Sequence, residues 1–128
     1  MGQNCVILLV HLVWSTWDRQ PIIDPAFERP LHRVMRDQAS GLGCRVIASG
    51  GTADHVHLLL RMPATLAVSR LVQQLKGTSS NWVNSNVSMP CPFRWQGHYG
   101  VFSVSRWDAE RVVHYIDSQK AHHGFGDI

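Results

Sequence analysis

Asp54-His55-Val56-His57-Leu58-Leu59-Leu60 is the stretch on which the reading of this chain turns. Two histidines flank one apolar residue, and an unbroken leucine run follows. In a strand, side chains at i and i+2 share a face, roughly 6.5–7 Å apart along the chain. His55 and His57 then stand side by side while Val56 and Leu58 face the opposite way into a core. Two adjacent imidazoles can chelate one divalent ion. The plainer reading is two polar residues on the open face of an antiparallel strand. A second group near the C-terminus bears on that choice.

Immediately upstream, residues 44–50 (CRVIASG) read as another strand, and Gly50-Gly51-Thr52-Ala53-Asp54 as the turn after it. So short a connection implies an antiparallel hairpin. Pro63 closes the histidine strand. Further upstream, residues 5–16 (CVILLVHLVWST) are β-branched, leucine-rich and aromatic, which predicts a long first strand. His11 lies inside it and reads first as a sheet-face histidine satisfied by a hydrogen bond, second as a ligand. Trp17 to Pro21 breaks the strand, and Arg19 on that loop can meet a phosphate or simply solvent. Asp24-Pro25 is an N-cap followed by proline at the first helical position. Leu31, Val34, Met35 and Gln38 recur at helical spacing until Gly41-Leu42-Gly43 ends the helix, which is expected only to pack on the sheet.

Downstream, a second helix opens at Ala64 or Thr65 and runs toward Trp82. Within it, Gln74 to Ser80 (QLKGTSS) places one Lys, one Gly and three hydroxyls where a helix should still be running. These groups suit phosphate oxygens, or else a solvated helix end. Residues 84–92 are a polar loop punctuated by proline. In residues 93–105 the second half, Tyr99 to Val104, alternates as a strand. Arg94, His98 and Tyr99 there can stack on and clamp single-stranded bases, or pack as a hairpin against a neighbour. Ser105 or Asp108 caps a last helix with an apolar side at Val112, Val113 and Ile116. On that helix Tyr115, Gln119 and His122 share a face.

The order β-α-β-β-α-β-α predicts an α+β fold, a ferredoxin-like or RRM-like sandwich. One antiparallel sheet would carry helices on one face, with a C-terminal tyrosine-bearing helix added. His55 and His57 would point to the open face. The 128 residues suit one domain, 1–128, with no repeat, linker or low-complexity segment. At 45% hydrophobic the chain can bury a full core, which argues against disorder. A net charge of +3 permits a nucleic-acid partner without demanding one. Cys5, Cys44 and Cys91 are odd in number and lack paired spacing, so reduced thiols in a cytoplasmic protein are expected. The apolar run from Cys5 to Val10 is too short to span a membrane and reads as a buried strand.

A metal held by two neutral imidazoles keeps positions open for a further ligand and a phosphate, which it can polarise. Gln119 can add an oxygen donor, favouring Mg²⁺ or Mn²⁺. Free tyrosine is a poor nucleophile near neutrality, since it ionises only near pH 10. Beside a metal-bound phosphate, Tyr115 can attack and form a covalent phosphotyrosine. The plainer account of Tyr115 is a half-buried helical aromatic.

With these pieces in order, the chain resembles the single-tyrosine HUH transposases. These are the small transposases of insertion sequences that move as single-stranded DNA, with the related REP-associated tyrosine transposases. Four stretches carry the likeness: His11-Leu-Val-Trp-Ser-Thr16 with Arg19 and Pro21; Asp54 to Leu60; Leu75 to Ser80; and Tyr115 to Gln119 with His122-His123. The resemblance implies that His55, His57 and Gln119 are the metal ligands. It implies that Tyr115 attacks the DNA phosphate, leaving a 5′-phosphotyrosine and a free 3′-OH that later rejoins another strand. It further implies a homodimer, often with the tyrosine helix reaching across to the partner, and recognition of imperfect DNA hairpins at element ends. Arg19, Lys76, Arg94, His98 and Tyr99 would then be DNA contacts. Trp17 stands where the family commonly has Lys, the tail is short and the net charge is low. Two other readings share the fold: a domesticated DNA- or RNA-hairpin binder that no longer cuts, and a plain interaction domain without metal or nucleic acid.

Overall fold

The computed structural model describes residues 3–119. His122 and His123, singled out in the sequence, lie outside the described residues. Four strands form one antiparallel sheet: β1 (Leu8–Ser15), β2 (Arg45–Gly51), β3 (His55–Met62) and β4 (Gly100–Val104). Their order across the sheet is β2-β3-β1-β4, so the expected ferredoxin-like arrangement is present. The helices are α1 (Pro25–Gly41), α2 (Val68–Asn86) and α3 (Ala109–Asp117).

Period-2 alternation sorts the sheet's side chains. Leu12 and Trp14 of β1 join Val56, Leu58, Leu60 and Met62 of β3 on one face. There α1 contributes Phe27, Leu31, Met35 and Ala39, and α2 contributes Leu71, Val72, Leu75 and Val83. These helix positions recur every three or four residues, the spacing of one buried stripe. Asp24 caps α1 as its sequence predicts, its carboxylate accepting from the Ala26 amide at 2.8 Å. Pro25 sits in the first turn, where its missing N–H is not needed.

The opposite sheet face is not open, which corrects the sequence expectation. The last helix, α3, lies across β2 and β3, and Ile116 packs with Leu9, Ala48 and Leu59 in a second apolar cluster. A bulge in β2 prepares this contact. The register slips between Val46 and Ala48, so Val46 packs toward α1 and α2 while Ala48 packs toward α3. Gly50 then lies beneath the helix. A Cβ there would stand 2.7 Å from the Ile116 carbonyl oxygen, so the close approach requires glycine.

Two further expectations are corrected. The second helix opens at Val68, later than the expected Ala64 or Thr65, and α2 runs through Gly77 to Asn86. Ser79 stays helical because its hydroxyl donates to the Leu75 carbonyl oxygen at 2.6 Å and accepts from Trp95 Nε1 at 2.9 Å. Asp108 precedes α3 without capping it by a side-chain hydrogen bond. Its carboxylate instead accepts from Ser105 and from Arg111. No described helix is long and apolar enough to cross a membrane.

Candidate active site

The face under α3 carries three histidines. β1 and β3 are antiparallel with Val13 opposite His57 and Ser15 opposite His55. His11 is therefore the diagonal same-face neighbour of His57, within reach of its ring. His11 Nε2 and His57 Nδ1 are 2.8 Å apart, a hydrogen bond between rings. His55 Nδ1 is held from the other side, by Asp54 Oδ1 at 2.7 Å and Thr52 Oγ1 at 2.8 Å. Thr52 in turn hydrogen-bonds Asp54 at 2.9 Å, and the Arg19 guanidinium pairs with the second Asp54 oxygen at 3.5 Å.

From above, α3 delivers Tyr115, and Gln119 follows just past the end of the helix. The Tyr115 ring stands edge-on to His57, centroids 5.6 Å apart, and edge-on to His11 at 6.0 Å. Gln119 is 1% exposed, and its Oε1 faces His55 Nε2 at 3.4 Å, long for a hydrogen bond. Its amide nitrogen donates to the Tyr115 carbonyl oxygen at 3.1 Å, which fixes the carboxamide's direction. The residues that sequence spacing placed on one face, Tyr115 and Gln119, are thus brought to His55 and His57 within the same chain.

Burial sets the charge state. Desolvation pushes His57 down to about 3, with the neighbouring His11 and His55 charges acting the same way and Gln119 opposing in part. Burial also lowers His11. For Asp54, burial pushes the carboxyl up, but hydrogen bonds from His55 and Thr52 and the charges of His55 and Arg19 outweigh it and hold it low. His57 is thus a neutral imidazole, and the Asp54 carboxylate stands behind the neighbouring His55 ring.

The donor set suits a hard divalent ion. Each of His55 and His57 has its Nδ1 engaged, which leaves Nε2 for coordination. His57 Nε2 is buried and makes no hydrogen bond among the described residues, an orphaned atom that an ion would satisfy. Among the described residues no three His, Cys, Asp or Glu side chains converge on a common point. The third donor available is the Gln119 amide oxygen. His11 is a satisfied sheet-face histidine, with its Nε2 spent on His57.

The other residues read as DNA contacts gather at one end of the sheet. Residues 93–97 dock on the end of β1: Trp17 N–H donates to the Arg94 carbonyl oxygen at 2.9 Å, and Gln96 N–H donates to that of Ser15 at 2.9 Å. Ser15 pairs with His55, so this segment borders the histidine pair. Arg94 stacks over the Trp17 ring at 4.2 Å, and both are exposed. Tyr99 and His98 are exposed beside them. Lys76 lies beneath, its Nζ donating to the carbonyl oxygens of Gln96 at 2.6 Å and His98 at 2.8 Å. Burial lowers its proton affinity. In this arrangement Lys76 ties α2 to the loop that presents Arg94 and Tyr99. Ser79 is enclosed and holds Trp95, so the hydroxyls of that stretch are not all free for a ligand. Sequence reasoning missed Thr52 and the His11–His57 link. The signal for the second was present, since His11 and His57 have the parity of one face once β1 and β3 pair.

A four-stranded antiparallel sheet, two helices behind it and a tyrosine-bearing helix in front define a tyrosine-transposase fold. The chain belongs to the IS200-like transposase family, whose model matches residues 5–119. It is 29% identical over 114 residues to the ISDra2 transposase TnpA of Deinococcus radiodurans, covering 85% of this chain and 81% of that relative. A crystal structure from Deinococcus radiodurans R1, assigned as a transposase, superposes with a TM-score of 0.74 at 28% identity, covering 93% of this chain and 96% of the other. The REP-associated tyrosine transposase bound to a REP hairpin superposes with a TM-score of 0.71 at 13% identity, covering 97% of this chain and 75% of the other; this likeness concerns the fold.

Proposed function

We propose that this transposase is an HUH endonuclease that cuts and rejoins single-stranded DNA through Tyr115. The observation that carries the reading is Tyr115 edge-on to His57 at 5.6 Å, with Gln119 facing His55 from just past the end of the same helix. His55, His57 and Gln119 would hold Mg²⁺ or Mn²⁺. A bound ion of this kind supplies Lewis-acid polarisation of the scissile phosphate. The Tyr115 oxygen attacks phosphorus, and the bond to the 3′-oxygen of the preceding nucleotide breaks. The phenol gives up its proton, the leaving 3′-oxygen takes one, and the 5′-phosphate stays esterified to Tyr115. A free 3′-OH then loses its proton and attacks that ester, the bond from phosphorus to the Tyr115 oxygen breaks, the phenol regains a proton and a phosphodiester is restored, so no external energy source is consumed.

Trp17, Arg19, Arg94, His98 and Tyr99 form the DNA-facing patch at the His55 end of the sheet, with Lys76 supporting it. The hairpin-bound structural neighbour supports a DNA hairpin as the recognised element. A homodimer fits β4, an edge strand that exposes Val101 and Phe102 on alternate faces, with Tyr99 exposed just before it. Cys5, Cys44 and Cys91 are unpaired thiols, consistent with the cytoplasm.

The test is a denaturing gel of labelled single-stranded DNA from sequence flanking the gene, incubated with protein and Mg²⁺ or Mn²⁺. A covalent protein–DNA band that requires metal is expected, and Tyr115→Phe should abolish it while remaining folded. Hairpin binding without any adduct would instead identify a non-cutting binder.

A further inference from the structure

The geometry points to His11 as a positioning residue that sets the tautomer of His57 and so aims its Nε2 lone pair at the metal. The inference rests on the proposed metal site of His55, His57 and Gln119. A ring nitrogen can coordinate only through a lone pair, so a ligating His57 Nε2 must be unprotonated. The ring's one proton then sits on Nδ1 and needs an acceptor there. Among the described residues the group at that atom is His11 Nε2, 2.8 Å away. A nitrogen–nitrogen hydrogen bond has one donor and one acceptor, so His11 Nε2 accepts. In the reverse arrangement, His11 would donate, and His57 would carry its proton on the buried Nε2. That atom could not then ligate.

The other histidine offers an internal comparison. His55 Nδ1 meets the Asp54 carboxylate at 2.7 Å and the Thr52 hydroxyl at 2.8 Å. Acceptors of this kind orient metal-bound histidines and raise their basicity. His57 has a neutral imidazole in the same place. The strand register supplies it: His11 on β1 is diagonal to His57 on β3 and shares its face. His11 itself does not coordinate, because its Nε2 is committed to His57.

Titration calorimetry with Mn²⁺, on metal-stripped protein without DNA, tests the assignment. His11→Phe removes the acceptor and should weaken Mn²⁺ binding about 10- to 100-fold. His11→Gln restores an acceptor through Oε1 and should recover most of the affinity. In the cleavage reaction, excess Mn²⁺ should recover activity in His11→Phe, as expected of a residue acting through the ion. A purely structural role predicts a loss that excess metal does not repair and that Gln does not relieve; either result overturns the inference. Unchanged affinity in His11→Phe, with His55→Ala abolishing binding, overturns it while leaving the metal site standing. Absence of Mn²⁺ binding in the unmodified protein removes the metal site and this role together. If His11→Phe fails to fold, nitrogen-15 spectra of the histidines in the Mg²⁺-loaded protein decide. A proton on His57 Nδ1 supports the inference, and one on Nε2 refutes it.

Discussion

His57 is 1% exposed, and burial together with its neighbours holds it neutral down to about pH 3. Unfolded, the same ring accepts a proton near pH 6.5. Between those values the unfolded chain binds more protons, so stability rises with pH and falls as acid is added. The metal-free protein should lose stability progressively below about pH 6.5, by at most about 1.4 kcal/mol per pH unit for this one group. Burial of His11 acts in the same direction. Denaturant midpoints in a chelator, measured at about pH 7 and about pH 5, check this, and His57→Gln should flatten the dependence. An unchanged acid profile in that variant would show that His57 is not the group responsible. At this scale the sequence was most legible where spacing alone decides a face, as for His55 with His57 and Tyr115 with Gln119. Arg19 shows the limit. Its neighbour in the fold, Asp54, is far away in the chain, and only strand pairing brings them together.

Elements were legible when their signals were local. Asp24-Pro25 marks the start of α1, and alternation marks β3. The run through Gly77 read two ways, as a phosphate-suited stretch of a continuing helix or as a helix end, because glycine and hydroxyls suit both. The stripe Leu71, Leu75, Ser79 and Val83 outweighs them by packing on the sheet. The place of α3 was not legible at all, since nothing in its own residues says which surface its apolar side covers. That surface is fixed by the β2 bulge and by Gly50 lying under Ile116. Gly50→Val should therefore push α3 off the sheet, at about 1–3 kcal/mol for the overpacking. The thermal midpoint should fall by several degrees and adduct formation should drop sharply, with the circular dichroism of the sheet retained. Full adduct yield in Gly50→Val would show that α3 does not work from this position.

For the whole molecule, the sheet order follows from the sequence of elements, because a βαββαβ chain with right-handed crossovers has few ways to close. Covering of the second face did not follow. Tyr115 stands beside His57 of its own chain, so one copy contains every residue proposed for the chemistry. Mixing His57→Ala with Tyr115→Phe should then give no covalent product, since neither copy holds a complete set. An adduct from the mixture would show that α3 of one copy serves the histidines of another.

Tyr115 and Gln119 lie one helical turn apart, joined by the Gln119 amide's hydrogen bond to the Tyr115 carbonyl oxygen. The oxygen proposed to attack and the proposed third donor therefore ride on one turn of chain. Whatever lifts that turn from the sheet withdraws both at once. On the proposed mechanism the arrangement would be an interlock: a copy with α3 out of place would have neither blade nor handle, and would not be left half-armed to nick DNA at random.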